Sequence, residues 1–257
     1  MERKAVLAQM IRVGIVGGTG KLGRDIAGLL LQREDMTPGA VIGRSGSPWI
    51  GQDLGAVTGG NETGLRITGD LLATKEDCDV YIDCTHAKAL MEENFHAYAL
   101  LHKPVIVATT GFGAEDVERL AGLSQSMPVA ICPNFSIGVY KFLKLVRLAA
   151  EEFGKHADID ISEIHHKFKK DQPSGTAKKI RETILQTGVE SPVHMHSIRA
   201  GHVIGEHSVL FTTPENERIE LSHKVYSREG FAQGVFTVIQ WISQRPAGLY
   251  GLEDIFG

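Results

Sequence analysis

What this 257-residue chain lacks already narrows its possible roles. It holds only three cysteines, Cys78, Cys84 and Cys132, with no CxxC pair. An odd number leaves at least one unpaired, and the simple reading is of small core residues in a reduced, cytoplasmic compartment. No apolar run approaches the roughly 18 residues of a membrane helix, and no charged-then-apolar leader opens the chain. No basic excess exists either. A formal charge of −4 argues against a general nucleic-acid binder and requires any basic cluster to be read locally. Repeats and low-complexity tracts are absent as well. Residues 1–10, MERKAVLAQM, precede the first strand pattern and are expected to form a frayed extension, with Met10 an alternative start.

What remains is ordinary globular material, 42% hydrophobic and ample for a core. Apolar runs IRVGIV (11–16), AVIG (40–43), DVYIDCT (79–85), PVIVATTG (104–111) and PVAICPN (128–134) read as strands. Helical patterns separate several of them, at 23–35, about 87–102 and 114–126. Continuous Val/Ile runs alternating with helices indicate a parallel sheet covered on both faces, an α/β class. After Ser136 the texture changes. A long helix over 137–154 leads to the alternating strand ADIDISEIHH and to a second helix at about 175–188. VHMHSIRA, VIGEHSVLFTT and ERIELSHKV then read as strands, the last two joined at PEN (214–216). This α+β region is expected to be mostly antiparallel. A final helix at about 229–244 follows, so two domains are expected, with a boundary near residue 135.

VGIVGGTGKLGRDI places Gly17, Gly20 and Gly23 three residues apart between a strand and a helix. The first glycine allows the tight turn, the last allows close helix–strand packing, and amides at the helix start face a pyrophosphate. Thr19 stands where the usual GxGxxG has its middle glycine, flanked by Gly18 and Gly20. The alternative is a structural βα turn of a flavodoxin-like domain. The acid that would hold the adenosine ribose is missing. Gly43 takes its place, followed by Arg44. An arginine beside an absent carboxylate suits a 2′-phosphate, which predicts NADPH use at least as good as NADH use; otherwise Arg44 is a solvated loop residue.

Ligands of doubly wound sheets sit at the carboxyl ends of the strands. Asp83 to His86, Ala108 to Gly111 and Asn134 to Ser136 end three of them. Each residue alone is a common turn former, and the ordered set is the informative part.

The stretch HHKFKKDQPSGT (165–176) crowds two histidines and three lysines into six positions. On an extended strand Glu163, His165, Lys167 and Lys169 would share one face, with His166 opposite unless the strand ends there. Pro173 disfavours helix at Gln172, and Ser174 or Thr176 then caps the next helix. The amides of Ser174, Gly175 and Thr176 would point outward as a site for an anionic oxygen, beside a histidine able to move a proton near neutral pH. Lys167, Lys170, Lys178 and Lys179 read as a solvated face; His165, Lys169, Gly175 and Thr176 do not.

The string Glu163-x-His165-His166-x-x-Lys169-x-Asp171-x-Pro173-Ser174-Gly175-Thr176-Ala177 resembles the signature of the 4-hydroxy-tetrahydrodipicolinate (dihydrodipicolinate) reductase family of lysine biosynthesis. The similarity continues through GGTGKLG, IDCT, ATTGF (108–112), PNFSIGV (133–139), SIRAGHVIGEH (197–207), LSHKVYSREGFAQG (221–234) and GLYGLEDIF (248–256). It implies a Rossmann-type doubly wound sheet built from residues 1–134 and 235–257, with an inserted α+β domain, residues 135–234, for substrate binding and tetramerisation. It also implies NADPH or NADH as cofactor, a small dicarboxylate substrate, no metal, and a cytoplasmic homotetramer with no membrane or nucleic-acid partner. By the same resemblance His165 is the general acid/base and Lys169 its cationic proton-donor partner. His166, Gly175 and Thr176 bind substrate. Gly17, Gly18, Thr19, Gly20, Lys21, Leu22, Arg44, Ala108, Thr109, Thr110, Cys132, Pro133, Asn134 and Phe135 line the cofactor, and Phe231 stacks near the nicotinamide. Hydride would add to carbon 4 of a conjugated cyclic imine, with a positioned acid quenching the electron density that moves toward the ring nitrogen. Two other readings compete. An atypical reductase of the isoflavone-reductase-like kind leaves HHKFKKDQPSGT without a role, and an NADPH-sensing regulator needs no proton donor.

Overall fold

The computed structural model describes residues 10–227 and 229–257, the side chains of Glu229 and Ala232 excepted. Of the expected N-terminal extension, residues 1–10, all but Met10 lie outside them, as does Arg228. The chain divides into two compact units, residues 1–135 with 234–257 and residues 136–233. Among the described residues no helix is long and apolar enough to cross a membrane.

The first unit runs β1 (Ile11–Val16), α1 (Lys21–Leu30), β2 (Met36–Ile42), α2 (Leu54–Thr58), β3 (Val80–Asp83), α3 (Ala87–Ala89), α4 (Phe95–Leu101), β4 (Val105–Val107), α5 (Ala114–Leu123) and β5 (Pro128–Ile131). A π-helical turn, Leu90–Asn94, joins α3 to α4. After the second unit come β10 (Gly248–Tyr250) and α9 (Leu252–Phe256). The six strands are all parallel, in the order β10-β5-β4-β3-β1-β2. This is a Rossmann-type doubly wound sheet. Val13, Ile15 and Val16 of β1 and all of β3 and β4 are buried, as strands covered on both faces must be. On α1, Gly23, Ile26, Ala27 and Leu30 recur at helical spacing and form its buried stripe.

The boundaries shift where a local rule won. Helix α1 ends at Leu30, five residues short of the expected stretch, and β2 starts early, at Met36. It takes in Pro38, which an edge strand tolerates because a missing N–H there breaks no ladder. A register shift between Val13 and Gly14 absorbs the irregularity. Segment 44–78 carries no strong periodicity, yet it holds α2 and a 3₁₀ turn at Leu72–Thr74. β10 has three residues and no apolar run, so only its pairing with β5 reveals it.

The second unit contains α6 (Ile137–Phe153), β6 (Asp158–His165), α7 (Gly175–Leu185), β7 (Val193–Arg199), β8 (Gly205–Thr212) and β9 (Arg218–Val225); α8 (Glu229–Ile242) straddles the division. Its sheet order is β7-β6-β8-β9. Two pairings are antiparallel, as expected, but β7 lies parallel to β6, because α7 forms a crossover between them. Ile159, Ile161, Val209 and Phe211 on one sheet face pack with Phe142 and Val146 of α6 and Ile180 and Ile184 of α7. Each such side chain contributes about 1.5–3 kcal/mol by leaving water.

Candidate functional site

In the first unit the glycine turn is built as its sequence requires. Gly17 has φ 75°, a left-handed conformation costly for any residue with a Cβ. A Cβ on Gly23 would lie 2.5 Å from the Gly17 carbonyl oxygen, so α1 meets β1 only because that side chain is missing. Gly20 caps α1 without any side-chain hydrogen bond, and the first turn carries no acid. The opening amides of this ten-residue helix are left for an anion.

These residues border a cleft of about 820 Å³, within the roughly 300–1,000 Å³ of ligand pockets. Gly17, Thr19, Gly20 and Arg44 line it, together with Ser47, Trp49, Thr85 and Asn94. A Cβ at Gly43 would stand 3.2 Å from both Ile50 Cδ1 and Thr19 Cγ2, so a larger residue there would press on those two side chains. Arg44 is exposed, and its guanidinium has no hydrogen bond to a described residue. The loop after it is pinned by Asp53, whose carboxylate accepts from the amides of Gly55 (2.7 Å), Thr63 (2.9 Å) and Gly64 (2.8 Å). An uncapped helix start, a glycine cradle and a loose arginine fit a dinucleotide.

Other expected cofactor residues stand outside this cleft. Gly18 is buried beneath the turn, where a Cβ would meet Val41 at 2.4 Å. Lys21 borders a smaller cavity with Arg24 and Asp25, and Leu22 is exposed. Ala108 and Thr109 are buried at the end of β4, with Thr110 exposed. Cys132 and Phe135 are buried after β5, where burial pushes the Cys132 thiol up to about 12; Pro133 is exposed and Asn134 half-buried. Phe231 is half-buried in α8.

In the second unit β6 ends at His165, so the alternation that would align Lys167 and Lys169 with it stops there. Glu163 and His165 do share the buried face. Lys169 returns through a turn instead, its amide bonded to the His166 carbonyl at 3.1 Å and its ammonium 2.8 Å from Asp171. His166 is half-buried, with a buried Nδ1 that lacks a partner. Ser174, rather than Thr176, caps α7. Its Oγ accepts the Ala177 amide at 3.1 Å, leaving Gly175 and Thr176 to present theirs. Nothing lies within 4 Å of where a Gly175 Cβ would be, so that helix start is open.

The residues that sequence reasoning missed, Arg199 and His207, join Glu163 around His165. Glu163 is fully buried. His165 Nδ1 donates to its Oε2, while Arg199 Nη2 (2.8 Å) and the Ser174 amide (3.3 Å) donate to its Oε1. Arg199 Nη2 also reaches the Asp171 carbonyl at 2.7 Å. The cluster is a product of strand register, which sets His165 opposite Arg199 and Glu163 opposite His207. The only signal in the sequence was an acid at an inward position of an alternating strand.

Charges follow from these contacts. Burial would raise the Glu163 carboxyl, but hydrogen bonds from Arg199, Ser197 and His165 outweigh it and bring it down to about 2. Burial lowers His165, helped by the positive charges of Lys169 and Arg199 and opposed by Glu163. His207, 5.2 Å from His165 between ring centroids and 3.3 Å from Ser174 Oγ, is lowered to about 4, chiefly by burial. With Nδ1 tied to Glu163, His165 keeps Nε2 for chemistry. A Cβ on Gly205 would lie 3.1 Å from that nitrogen, so glycine there leaves it room. Glu163, His165 and His207 bring potential metal-ligand atoms within 4.8 Å of one another, but both Glu163 oxygens already accept hydrogen bonds and a cation would have to displace Arg199.

Comparison with known proteins finds one family along nearly the whole chain. Residues 11–135 match the family described as dihydrodipicolinate reductase, N-terminus, and residues 138–256 match its C-terminus. The chain is 32% identical over 267 residues to a 4-hydroxy-tetrahydrodipicolinate reductase of Syntrophus aciditrophicus, covering 96% of this chain and 99% of that one. The enzyme of the same name from Hahella chejuensis is 34% identical over 270 residues, with the same coverage. The solved dipicolinate-bound dihydrodipicolinate reductase of Paenisporosarcina sp. TG-14 superposes with a TM-score of 0.78 at 27% identity, covering 96% of this chain and 100% of that one. An amine dehydrogenase of Mycobacterium smegmatis, 14% identical with a TM-score of 0.61 and covering 93% of this chain and 94% of that one, shares the fold alone.

Proposed function

The chain belongs to the dihydrodipicolinate reductase family and is an oxidoreductase, and from that premise we propose that it reduces 4-hydroxy-tetrahydrodipicolinate, by way of dihydrodipicolinate, to tetrahydrodipicolinate in diaminopimelate and lysine biosynthesis. The observation that carries this reading is the pairing of a buried, carboxylate-held His165 with the open, glycine-led start of α7. A proton donor and an anion holder on adjoining segments are what a small dicarboxylate undergoing reduction requires. When bound in the glycine-lined cleft, the reduced nicotinamide nucleotide supplies the hydride. Glu163 holds the His165 ring, fixes its tautomer and stabilises the imidazolium, whose Nε2–H quenches the electron density arriving in the substrate ring. Lys169, steadied by Asp171, adds positive charge beside that proton. The amides of Gly175 and Thr176, with His166, grip the carboxylates. Loss of water from the 4-hydroxy compound gives dihydrodipicolinate, and one hydride and one proton then complete its two-electron reduction.

Arg44, exposed and unengaged, is assigned to the 2′-phosphate of NADPH. Michaelis constants for the two nucleotides test this, and a strong NADH preference sinks it. The outer face of the β7-β6-β8-β9 sheet carries the Asp160–His196 pair and the Ser208–Ser222 hydrogen bond. We assign that face to a homotetramer contact in a cytoplasmic enzyme, and sedimentation as a monomer would refute the contact.

The activity is tested by supplying pyruvate, aspartate semialdehyde and the upstream synthase and following loss of reduced nucleotide. Folded, nucleotide-binding protein that oxidises none rejects the reductase reading.

A further inference from the structure

Asp83 closes β3 and is fully buried. Its carboxylate's hydrogen-bond partners are all donors: the Thr85 amide at 2.9 Å and hydroxyl at 2.5 Å, Asn94 Nδ2 at 3.2 Å, the Tyr98 phenol at 2.8 Å and the Thr109 hydroxyl at 3.4 Å. Among the described residues no lysine or arginine pairs with it. Burying a carboxylate without a cation is costly, and the donors come from four segments: the turn after β3, the π-helical turn, α4 and the end of β4. The π turn is a rare winding that tends to mark functional places. Here it leads into α4 so that Asn94 and Tyr98, four residues apart, reach one carboxylate oxygen.

Two of those donors, Thr85 and Asn94, also line the nucleotide cleft, so the carboxylate stands directly behind its wall. Topology says which part of the nucleotide that wall meets. The turn after β1 takes the pyrophosphate, and β2 on one side takes the adenosine. The nicotinamide half of a bound dinucleotide would then lie toward the other neighbour of β1, which is β3, with Val16 paired to Asp83, and toward β4, with Asp83 paired to Val107. The Asp83 charge acts on its surroundings, pushing the Cys84 thiol and the Tyr98 phenol further above the shift that burial gives them.

Resting on the nucleotide reading above, we propose that Asp83 is a positioning residue of the hydride-donating half-site, fixing the ends of β3 and β4 and favouring the oxidised nucleotide through its negative charge. When dihydronicotinamide gives up a hydride with both electrons, its neutral ring becomes a pyridinium cation. A fixed anion behind the wall stabilises that charge as it develops.

The test is calorimetric titration of oxidised and reduced nucleotide into the full chain. In Asp83→Asn the oxidised form is expected to weaken about tenfold more than the reduced form, with turnover falling in similar proportion. Tyr98→Phe removes one hydrogen bond and keeps the charge, so its Tm falls while the affinity ratio stays at the wild-type value. Should Asp83→Asn fail to fold, Asn94→Lys sets an ammonium against the carboxylate and is expected to move the ratio the same way. An unchanged ratio in the charge-neutralising variant, or an equal change in Tyr98→Phe, overturns the assignment alone. Wild-type protein that binds neither nucleotide overturns both it and the reading beneath it.

Discussion

The two half-sites of this protein are made from different materials. In the first unit the cleft is framed by absent side chains and main-chain amides: Gly17, Gly20 and Gly23 around the start of α1. In the second unit the site is made of side chains and buried charge: Glu163, Arg199, His165 and His207 held by strand register. The backbone frame of such a site is specified by where chain cannot carry a Cβ, and the frame itself does not titrate. A side-chain site must balance charges against burial, and it inherits their titration.

The sharpest way to break that contrast is His165→Gln. It should lower turnover roughly a hundred- to ten-thousandfold, the worth of a positioned acid, while nucleotide affinity measured by fluorescence titration stays constant. Equal loss of both would give the residue a structural role instead. Next in size is Glu163→Ala, which strands the Arg199 guanidinium in a buried place. Chemical denaturation should report a loss of about 3–5 kcal/mol, and a loss under 1 kcal/mol would mean the pair is incidental.

Gly23→Ala probes the other material. Its Cβ would press on the Gly17 carbonyl, so the turn must open, at a stability cost of about 1–3 kcal/mol. Nucleotide dissociation constants should rise while a dicarboxylate inhibitor binds as before. If inhibitor affinity falls in step, the two half-sites are less separable than their construction implies.

The smallest effect is in acid. His207 is lowered to about 4 in the fold against 6.5 unfolded, so the folded state prefers the neutral ring. Its contribution is complete above pH 6.5 and is lost as pH falls toward 4. Glu163, at about 2 against 4.5, holds its contribution down to pH 4.5 and loses it toward pH 2. Thermal melts should therefore decline in two windows, and His207→Asn should flatten the upper one by a few degrees. A melt independent of pH from 6.5 to 4 would remove His207 from the cluster.

Much of this was legible in residues 11–23 and 165–176, because both chemistries lie in short local strings. A glycine that must pass a carbonyl, or a proline and serine that start a helix, acts over a few positions. The loop after Arg44 was not legible. Its order comes from Asp53 gathering amides from Thr63 and Gly64, a contact no periodicity announces. Lys169 was set on the wrong footing by extending an alternation one turn too far. The strand stopped at His165, and a turn brought the lysine back.

By itself, then, the sequence determined most of the elements, the glycine turn and the capped start of α7, since backbone sterics and local hydrogen bonding are encoded within a few positions. Only the tertiary structure decided what those residues experience. Arg199 and His207 reach Glu163 and His165 through pairings between β6, β7 and β8, across dozens of residues. The donors around Asp83 likewise converge from four segments. Charge and burial are properties of neighbourhoods, and neighbourhoods form only when strands pair.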